Sequence, residues 1–189
     1  MRTTEFRWAL IAFAGVLMLG TLRGILVAIA ASLLAIMHQA NNPPLHEIGR
    51  KRGTHIYRPR SEEHPGDETW PGLLVLRPEG RLYFANAEHV SDRMREAFER
   101  ARPSVVIIDM RAVLDIEYTA LMMLTAGEEN LRGQGVELWL AAMNPQVHGI
   151  VRDAALGQRL GVERIFPSLQ LAVEAYERRG RPIEGKAAA

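Results

Sequence analysis

Acidic and hydroxyl side chains lie close together between residues 109 and 121, where the sequence reads DMRAVLDIEYTAL. Asp109, Asp115 and Glu117 carry carboxylates, the groups that act as general acids and bases in many active sites. Tyr118 and Thr119 carry hydroxyls that can accept a phosphate, which would add negative charge at a helix start. The segment is therefore a candidate active site, a candidate switch, or simply a turn.

Each of the three acids also has a structural explanation. Asp109 follows an apolar strand and can form a turn, Asp115 can cap the helix that comes next, and Glu117 suits the positive end of the helix dipole. No histidine or lysine lies within the segment to serve as a catalytic partner. For each acid taken alone, we favour the structural explanation over a catalytic one.

The sequence lacks the motifs that would indicate catalysis or a cofactor. It contains no cysteine, and its six histidines form no His-x-x-x-His pair. The patterns GxSxG, GxxxxGK[ST] and GxGxxG are missing, and the net charge is only +1. Aromatic residues do not alternate with a basic face, as single-stranded nucleic acid would require. We therefore expect no enzyme, no metal, no cofactor and no nucleic-acid partner.

Residues 8–37 form a long apolar run with one charge, Arg23, and predict a segment in the lipid bilayer. A hairpin of two short helices that turns at residues 21–24 keeps Arg23 in a polar or protein-lined environment. The alternatives are a single tilted helix, with Arg23 deep in the bilayer, and a cleavable signal peptide. We favour the hairpin and rank the signal peptide last. Small residues along the run suit packing against another membrane helix.

Residues 38–71 are predicted to be a surface linker, because 41–71 holds five prolines and several polar stretches. Five Lys or Arg residues lie between positions 50 and 60. By the positive-inside bias, this side of the bilayer is the cytoplasm, and the basic run can also contact anionic lipid. The last residues, 181–189, are predicted to be a disordered tail.

Residues 72–180 alternate between strand and helix signals and predict an α/β domain with a mostly parallel sheet. Two strands around Glu79-Gly80 read as a hairpin, and Asn86 reads as the cap of the first helix. The second helix is predicted from Glu117 to Arg132. The predicted strands are 73–78, 81–86, 104–110, 136–143 and 161–166, and the other helices are 145–160, capped by Asn144, and one from Ser168 to Tyr176.

Three segments then carry a family resemblance: VVIIDMRAVLDIEYTAL, GVELWLAAMNPQV and GVERIFPSLQLAVEAYE. Together they resemble the STAS domain at the carboxyl end of SulP-type anion permeases. The run GVLMLGTLRGILVAIAASLLAIM is similar to the last two membrane helices of those transporters. The resemblance implies a STAS-like sheet of about four to five strands with packed helices, preceded by a short transmembrane helical segment.

The resemblance also implies a function. The chain is expected to be the carboxyl-terminal part of a sulfate or bicarbonate transporter, located in the inner membrane with a cytoplasmic STAS domain that regulates and assembles the transporter. Because the anion-binding core is not among the matching segments, the chain alone is not expected to transport. It resembles a truncated permease, half of a split permease, or a remnant. The expected partners are the bilayer, a separate transporter core or a second copy of the chain, and a regulatory protein.

Anti-sigma-factor antagonists of the STAS type carry Asp-Ser-Ser-Gly at the matching helix start, and the first serine is phosphorylated. By register, the chain has Glu117-Tyr118-Thr119-Ala120 there, so Tyr118 takes the place of that serine. Thr119 remains as an acceptor, but the departure favours a contact surface over a phosphoswitch. A membrane-tethered signalling module is the alternative function, and nucleotide binding at the sheet edge is a third, weaker one.

Overall fold

The computed structural model describes residues 21–179, together with Leu10 and Phe13. The chain divides into two compact units, Met1–Asn42 and Pro43–Ala189. Each unit is described by itself below. The tail predicted at 181–189 lies outside the described residues.

The described part of the first unit is one apolar helix, α1, Thr21–Asn41. Its 21 residues correspond to about 32 Å, enough to cross a hydrocarbon core of roughly 30 Å. Its long apolar side chains are exposed, as expected for a helix that contacts lipid. Residues 21–24, where the predicted hairpin would turn, form the first turn of α1. Apart from Leu10 and Phe13, which are helical, residues 8–20 lie outside the described residues, so the hairpin stays a prediction.

The second unit contains a six-stranded sheet in the order β2-β1-β3-β5-β7-β8. The strand β1 pairs antiparallel with both of its neighbours, whereas β3, β5, β7 and β8 are parallel. A separate two-stranded parallel sheet joins β4 to β6. The bounds are β1 Leu45–Arg50, β2 Tyr57–Pro59, β3 Leu73–Pro78, β4 Gly80–Leu82, β5 Val105–Asp109, β6 Val113–Ile116, β7 Glu137–Ala141 and β8 Ile165–Phe166.

Two of these strands correct the predicted linker at 38–71. Residues 38–41 end α1, and β1 and β2 belong to the sheet, so the domain begins near Pro43 rather than at residue 72. The sequence did not predict these two strands, because their many charged side chains are typical of a linker. In the structure, these side chains are paired within the domain. Arg50 Nε lies 2.8 Å from Glu68 Oε2, and Arg58 Nη2 lies 2.7 Å from Asp67 Oδ1.

The predicted hairpin between residues 73 and 86 is also wrong. The strand β3 lies between β1 and β5, and β4 pairs with β6 instead. Helix α2, Phe84–Ala101, starts earlier than expected, so residues predicted as strand are helical. Asn86 lies in its first turn, and Asn86 Oδ1 accepts a 3.0 Å hydrogen bond from the Tyr83 N–H. Asn86 therefore stabilises the start of α2 from a position inside its first turn.

Helices cover both faces of the main sheet, as the continuous apolar run in β5 predicts. Val106 and Ile108 point to one face, where they meet α2 and α3, Tyr118–Gly133. Val105 and Ile107 point to the other face, which α6, Leu169–Arg179, covers. Helices α4, Pro145–Asp153, and α5, Ala155–Leu160, pack on the first face.

The helix predicted at 145–160 is two helices, because Ala154 is extended and separates α4 from α5. Gly157 permits their close contact, since a Cβ at this position would lie 2.3 Å from the Val151 carbonyl oxygen. The predicted cap is present: Asn144 Oδ1 accepts a 2.9 Å hydrogen bond from the Val147 N–H. The strand predicted at 161–166 is only two residues long, Ile165–Phe166.

Glu137 joins the start of β7 to the end of α6. Its carboxylate accepts hydrogen bonds from Trp139 Nε1 at 2.9 Å and from Arg179 Nη1 at 2.8 Å. Burial alone would raise the pKa of Glu137. The hydrogen bonds from Trp139 and Arg179, with the charges of Arg179 and Arg164, outweigh burial and lower the pKa below its ordinary value of 4.5.

Candidate partner-binding surface

The candidate residues follow β5 at the carboxyl edge of the main sheet. Asp109 is the last residue of β5, and a short 3-10 turn, Met110–Ala112, leads into β6. Asp115 lies in β6, Glu117 precedes α3, and Tyr118 and Thr119 occupy its first turn. The predicted strand-loop-helix order is therefore present, but the loop contains an additional strand that pairs with β4.

Asp109 is fully buried and held by an arginine from the neighbouring strand β3. Both Nε and Nη2 of Arg77 donate to Asp109 Oδ2, at 2.9 and 2.7 Å. The Arg111 N–H donates to Asp109 Oδ1 at 3.2 Å, so the carboxylate also fixes the 3-10 turn. The prediction of a turn-forming role is consistent with this contact. Because Asp109 has no exposed surface, it holds the segment in place and does not itself contact a partner.

Asp115 is not the helix cap that its spacing suggested, because it lies inside β6. Asp115 Oδ1 accepts hydrogen bonds from the Ile116 N–H at 2.9 Å and from Gln146 Nε2 at 3.2 Å. Arg81 Nη2 lies 3.0 Å from Asp115 Oδ2 and 3.4 Å from Glu117 Oε1. The register Arg81↔Asp115 between β4 and β6 produces this cluster.

Glu117 is the residue before α3, and its side chain makes no capping hydrogen bond. Its backbone N–H donates to the Leu82 carbonyl oxygen at 2.8 Å, which extends the pairing of β4 with β6. The predicted helix therefore begins one residue later, at Tyr118. In this position the carboxylate of Glu117 shares Arg81 with Asp115, so the acids of the segment are held in ion pairs rather than left free for proton transfer.

Tyr118 and Thr119 are exposed, and Tyr118 keeps 76% of its surface in contact with solvent. Leu82 and Ile116 are register partners, and Phe84 and Tyr118 each follow two residues later. The paired strands thus place two exposed aromatic residues at the starts of neighbouring helices. Phe84, Leu114, Tyr118 and Met122, which we call the helix-start patch, are large apolar residues exposed by 47 to 76%.

Sequence reasoning missed three sets of residues here. The helix-start patch was missed in part because Phe84 was predicted to lie in a strand. Asn144 was recognised only as a cap, but its Nδ2 also donates to the carbonyl oxygens of Val113 and Leu114, at 3.0 and 3.1 Å. Arg77 and Arg81 bind aspartates that lie 32 and 34 residues away in the sequence. At this separation, a single sequence carries no local signal.

The arrangement favours binding over chemistry. Among the residues that the structure describes, no group of three or more His, Asp or Glu side chains could hold a metal ion. The exposed groups of the segment are the Arg111 guanidinium, a phenol, a hydroxyl and apolar side chains, and the carboxylates beside them are paired with arginine. Apolar and aromatic side chains exposed together are typical of protein contacts.

Comparison with known proteins agrees with this fold. The family model of the STAS domain matches residues 61–172, more than half of the chain. The chain belongs to the STAS domain family.

Among full-length proteins, the chain is similar to plant sulfate transporters. It is 31% identical over 185 residues to low affinity sulfate transporter 3 of Stylosanthes hamata, covering 90% of the chain and 28% of the transporter. It is 27% identical over 162 residues to the chloroplastic sulfate transporter 4.1 of Arabidopsis thaliana, covering 80% of the chain and 24% of that protein. The predicted relation to SulP-type transporters is therefore confirmed, and the chain spans about a quarter of the length of these relatives.

Solved structures share the fold at lower identity. Murine Slc26a9, an anion transporter, matches 94% of the chain and 31% of its own length, with a TM-score of 0.70 and 18% identity. The STAS domain of a SulP transporter from Vibrio cholerae matches 62% of the chain and 90% of its own length, with a TM-score of 0.51 and 20% identity. A Thermotoga maritima protein assigned as an anti-sigma factor antagonist has a TM-score of 0.51 and 16% identity over 59% of the chain and 92% of its own length.

Proposed function

We propose that this chain is the STAS-containing carboxyl-terminal portion of a SulP-type transporter of inorganic anions such as sulfate or bicarbonate. In this role it regulates and assembles the transporter and does not transport anions alone. The observation that carries the proposal is the similarity to sulfate transporters over 80 to 90% of the chain, across both the apolar helix and the STAS domain. The one candidate span among the described residues is α1, so a transport path would need membrane helices in addition to α1.

The partner of the membrane segment is proposed to be a separate transporter core or a second copy of the chain. The experiment is affinity purification from its native membrane in mild detergent, followed by mass spectrometry and a sulfate uptake assay in proteoliposomes. The expected result is a copurified multi-span protein and no uptake by the chain alone. Uptake by the purified chain alone would contradict the proposal.

The STAS domain is proposed to lie in the cytoplasm, at the inner membrane. The basic residues that motivate this orientation are less free than their number suggests. Arg50, Arg58 and Arg60 form ion pairs with carboxylates of the same domain. Lys51, Arg52 and Arg60 are exposed, and Arg52 lies 3.8 Å from Glu68. Because the positive-inside bias counts Lys and Arg residues rather than net charge, all five count toward orientation. The ion pairs weaken only the attraction of this run to anionic lipid.

The orientation can be tested with a single reporter cysteine, because the chain has no cysteine of its own. Val162 is 91% exposed in the STAS domain, so Val162→Cys provides an accessible thiol. A membrane-impermeant maleimide should label this cysteine in inverted membrane vesicles and not in intact spheroplasts. Labelling in spheroplasts would place the domain outside the cytoplasm.

The helix-start patch is proposed as the contact surface for a regulatory protein. The alternative function, a membrane-tethered signalling module, uses the same surface. Its support is the exposure of Tyr118 and Thr119 at the start of α3, where a kinase could reach them. Thr119→Asp adds a negative charge beside Asp115 and Glu117, and if the site is a switch, this more negative surface should release the partner.

A switch and a constant contact surface predict different results in a pull-down with membrane extracts. A switch requires that Thr119→Asp release a partner that Thr119→Val retains. A constant contact surface requires that Tyr118→Ala reduce capture while Thr119→Asp leaves it unchanged. Capture that survives Tyr118→Ala would exclude the patch as the contact surface.

A further inference from the structure

A cleft opens between α2 and α3 on the first face of the main sheet. Its volume is about 460 Å³, within the range of roughly 300–1,000 Å³ typical of small-molecule pockets. The lining residues do not overlap with the helix-start patch. The floor is formed by strand residues Leu76, Val106, Ile108 and Leu138, and the walls are formed by Met94, Phe98, Met123, Leu124 and Leu131.

The cleft exists because α3 presents small residues to it. Ala126 and Gly127 line the cleft, and a Cβ built at Gly127 would meet no atom within 4 Å. A larger side chain at either position would fill the space. The four large wall residues Met94, Phe98, Met123 and Leu131 are only partly buried, so they keep apolar surface available. Apolar surface of this kind gains free energy when a ligand removes it from water.

The walls can adapt to a ligand. Met94 and Met123 lie on the two helices that form the cleft. Methionine is unbranched and flexible, and its polarizable thioether fills irregular gaps. A cleft lined in this way suits a flexible aliphatic chain better than a rigid, hydrogen-bonded ring system.

The polar residues at the mouth of the cleft determine which head group a ligand can have. The charged lining residues of the cleft are one guanidinium, Arg95, which already pairs with Asp92, and one carboxylate, Glu99. Ser91, Asn130 and Gln134 add a hydroxyl and two amides, which both donate and accept hydrogen bonds. This composition does not favour a phosphate or sulfate. It matches an uncharged head group that donates and accepts hydrogen bonds.

We propose that this cleft binds a small amphiphile with an aliphatic chain and an uncharged, hydrogen-bonding head group. The chain contacts the partly buried wall residues, including the two methionines, and the head group lies among the polar residues at the mouth. The site is separate from the proposed transporter contact and does not depend on it. Ligand in the cleft would brace α2 against α3, the two helices that also carry Phe84 and Tyr118.

The test is methyl NMR on the full chain in lipid nanodiscs with 13C-labelled methionine methyl groups. Hexanamide is the probe, because it is soluble in water and has an uncharged head group. It should shift the methyl signals of Met94 and Met123 in a saturable manner. Met122 is the internal control, because it is exposed on the same helix but does not line the cleft. Equal shifts at Met122 and Met123 would mean nonspecific adsorption and overturn the proposal.

Gly127→Leu fills the cleft and should weaken hexanamide binding about tenfold or more, equivalent to roughly 1.4 kcal/mol. Gly133→Leu is the matched control, because Gly133 lies on α3, has open space at its Cβ position and does not line the cleft. Ala126→Leu is a second filling variant if Gly127→Leu does not fold. Unchanged binding in a folded filling variant would overturn the proposal.

Two charged analogues test the assigned head group. Hexanoate and hexylammonium should both bind more weakly than hexanamide, because a charged head group loses more hydration than an amide when it enters an apolar cleft. Binding of either ion as tight as that of hexanamide would overturn the assignment of an uncharged head group.

Discussion

Replacing Arg77 with methionine should strongly destabilise the STAS domain. The substitution removes both hydrogen bonds to Asp109 Oδ2 and leaves a carboxylate with no exposed surface in the core. Breaking a buried ion pair from one side typically costs about 3–5 kcal/mol. Arg111 lies 3.5 Å from the same oxygen and compensates in part, so we expect the lower half of this range. For a domain with roughly 5–15 kcal/mol of total stability, this loss is large.

The measurement is urea unfolding of a fragment of residues 43–179, the described part of the second compact unit. With an m-value of roughly 1–3 kcal/mol/M, the midpoint should fall by about 1–4 M in Arg77→Met. The matched control is Arg81→Met, which breaks an ion pair whose arginine side chain is 58% exposed. Exposed ion pairs contribute about 0–1 kcal/mol, so this midpoint should shift little.

The double variant Arg77→Met/Asp109→Leu separates the cost of an unpaired charge from the value of the pair. Replacing both partners with apolar residues is often neutral or stabilising. The double variant should therefore recover most of the stability that Arg77→Met loses. Equal losses in Arg77→Met and Arg81→Met, or a double variant as unstable as the single one, would refute the reasoning.

Three further predictions concern the framework of the domain. The lowered pKa of Glu137 means that its stabilising effect is present above its unfolded pKa and is lost as the pH falls through the folded value; the melting temperature of Glu137→Gln should therefore lie below that of the wild type at pH 7, and the two should converge as the pH falls below the folded pKa of Glu137. A fragment of residues 72–179 lacks β1 and should aggregate in size-exclusion chromatography, because β3 becomes an exposed edge strand, whereas the longer fragment should stay soluble. Gly157→Ala forces a Cβ against the Val151 carbonyl and should lower the urea midpoint by an amount equivalent to about 1–3 kcal/mol; an unchanged midpoint would show that α4 and α5 separate freely.

The parts of the fold that the sequence predicted correctly are those with strong local patterns. The continuous apolar run in β5 identified a strand covered on both faces, and Asn144-Pro145 identified a helix start with its capping side chain. Apolar residues recur at helical spacing in α3, and Ala120, Leu121 and Leu124 are buried. These signals are contained within a few consecutive residues.

The missed elements depend on contacts between distant residues. The sequences of β1 and β2 look like a linker because they contain many charged residues, and partners elsewhere in the domain neutralise several of them. The four residues of β6 contain an aspartate and acquire a partner only when β4 lies beside them. At the candidate site, the sequence located Asp109 and Tyr118 correctly at the sheet edge. It did not show that Asp109 is buried while Tyr118 is exposed, because Arg77 and the pairing of the two short strands decide this.

The position of β1 has a mechanical consequence. Three residues, 42–44, separate α1 from β1, and β1 is an interior strand bonded to β2 on one side and β3 on the other. A force on the end of α1 would therefore act on a strand that has hydrogen-bonded neighbours on both sides. The three connecting residues leave little extra chain to extend first. The covalent path from α1 to an interior strand of the sheet is therefore only three residues long.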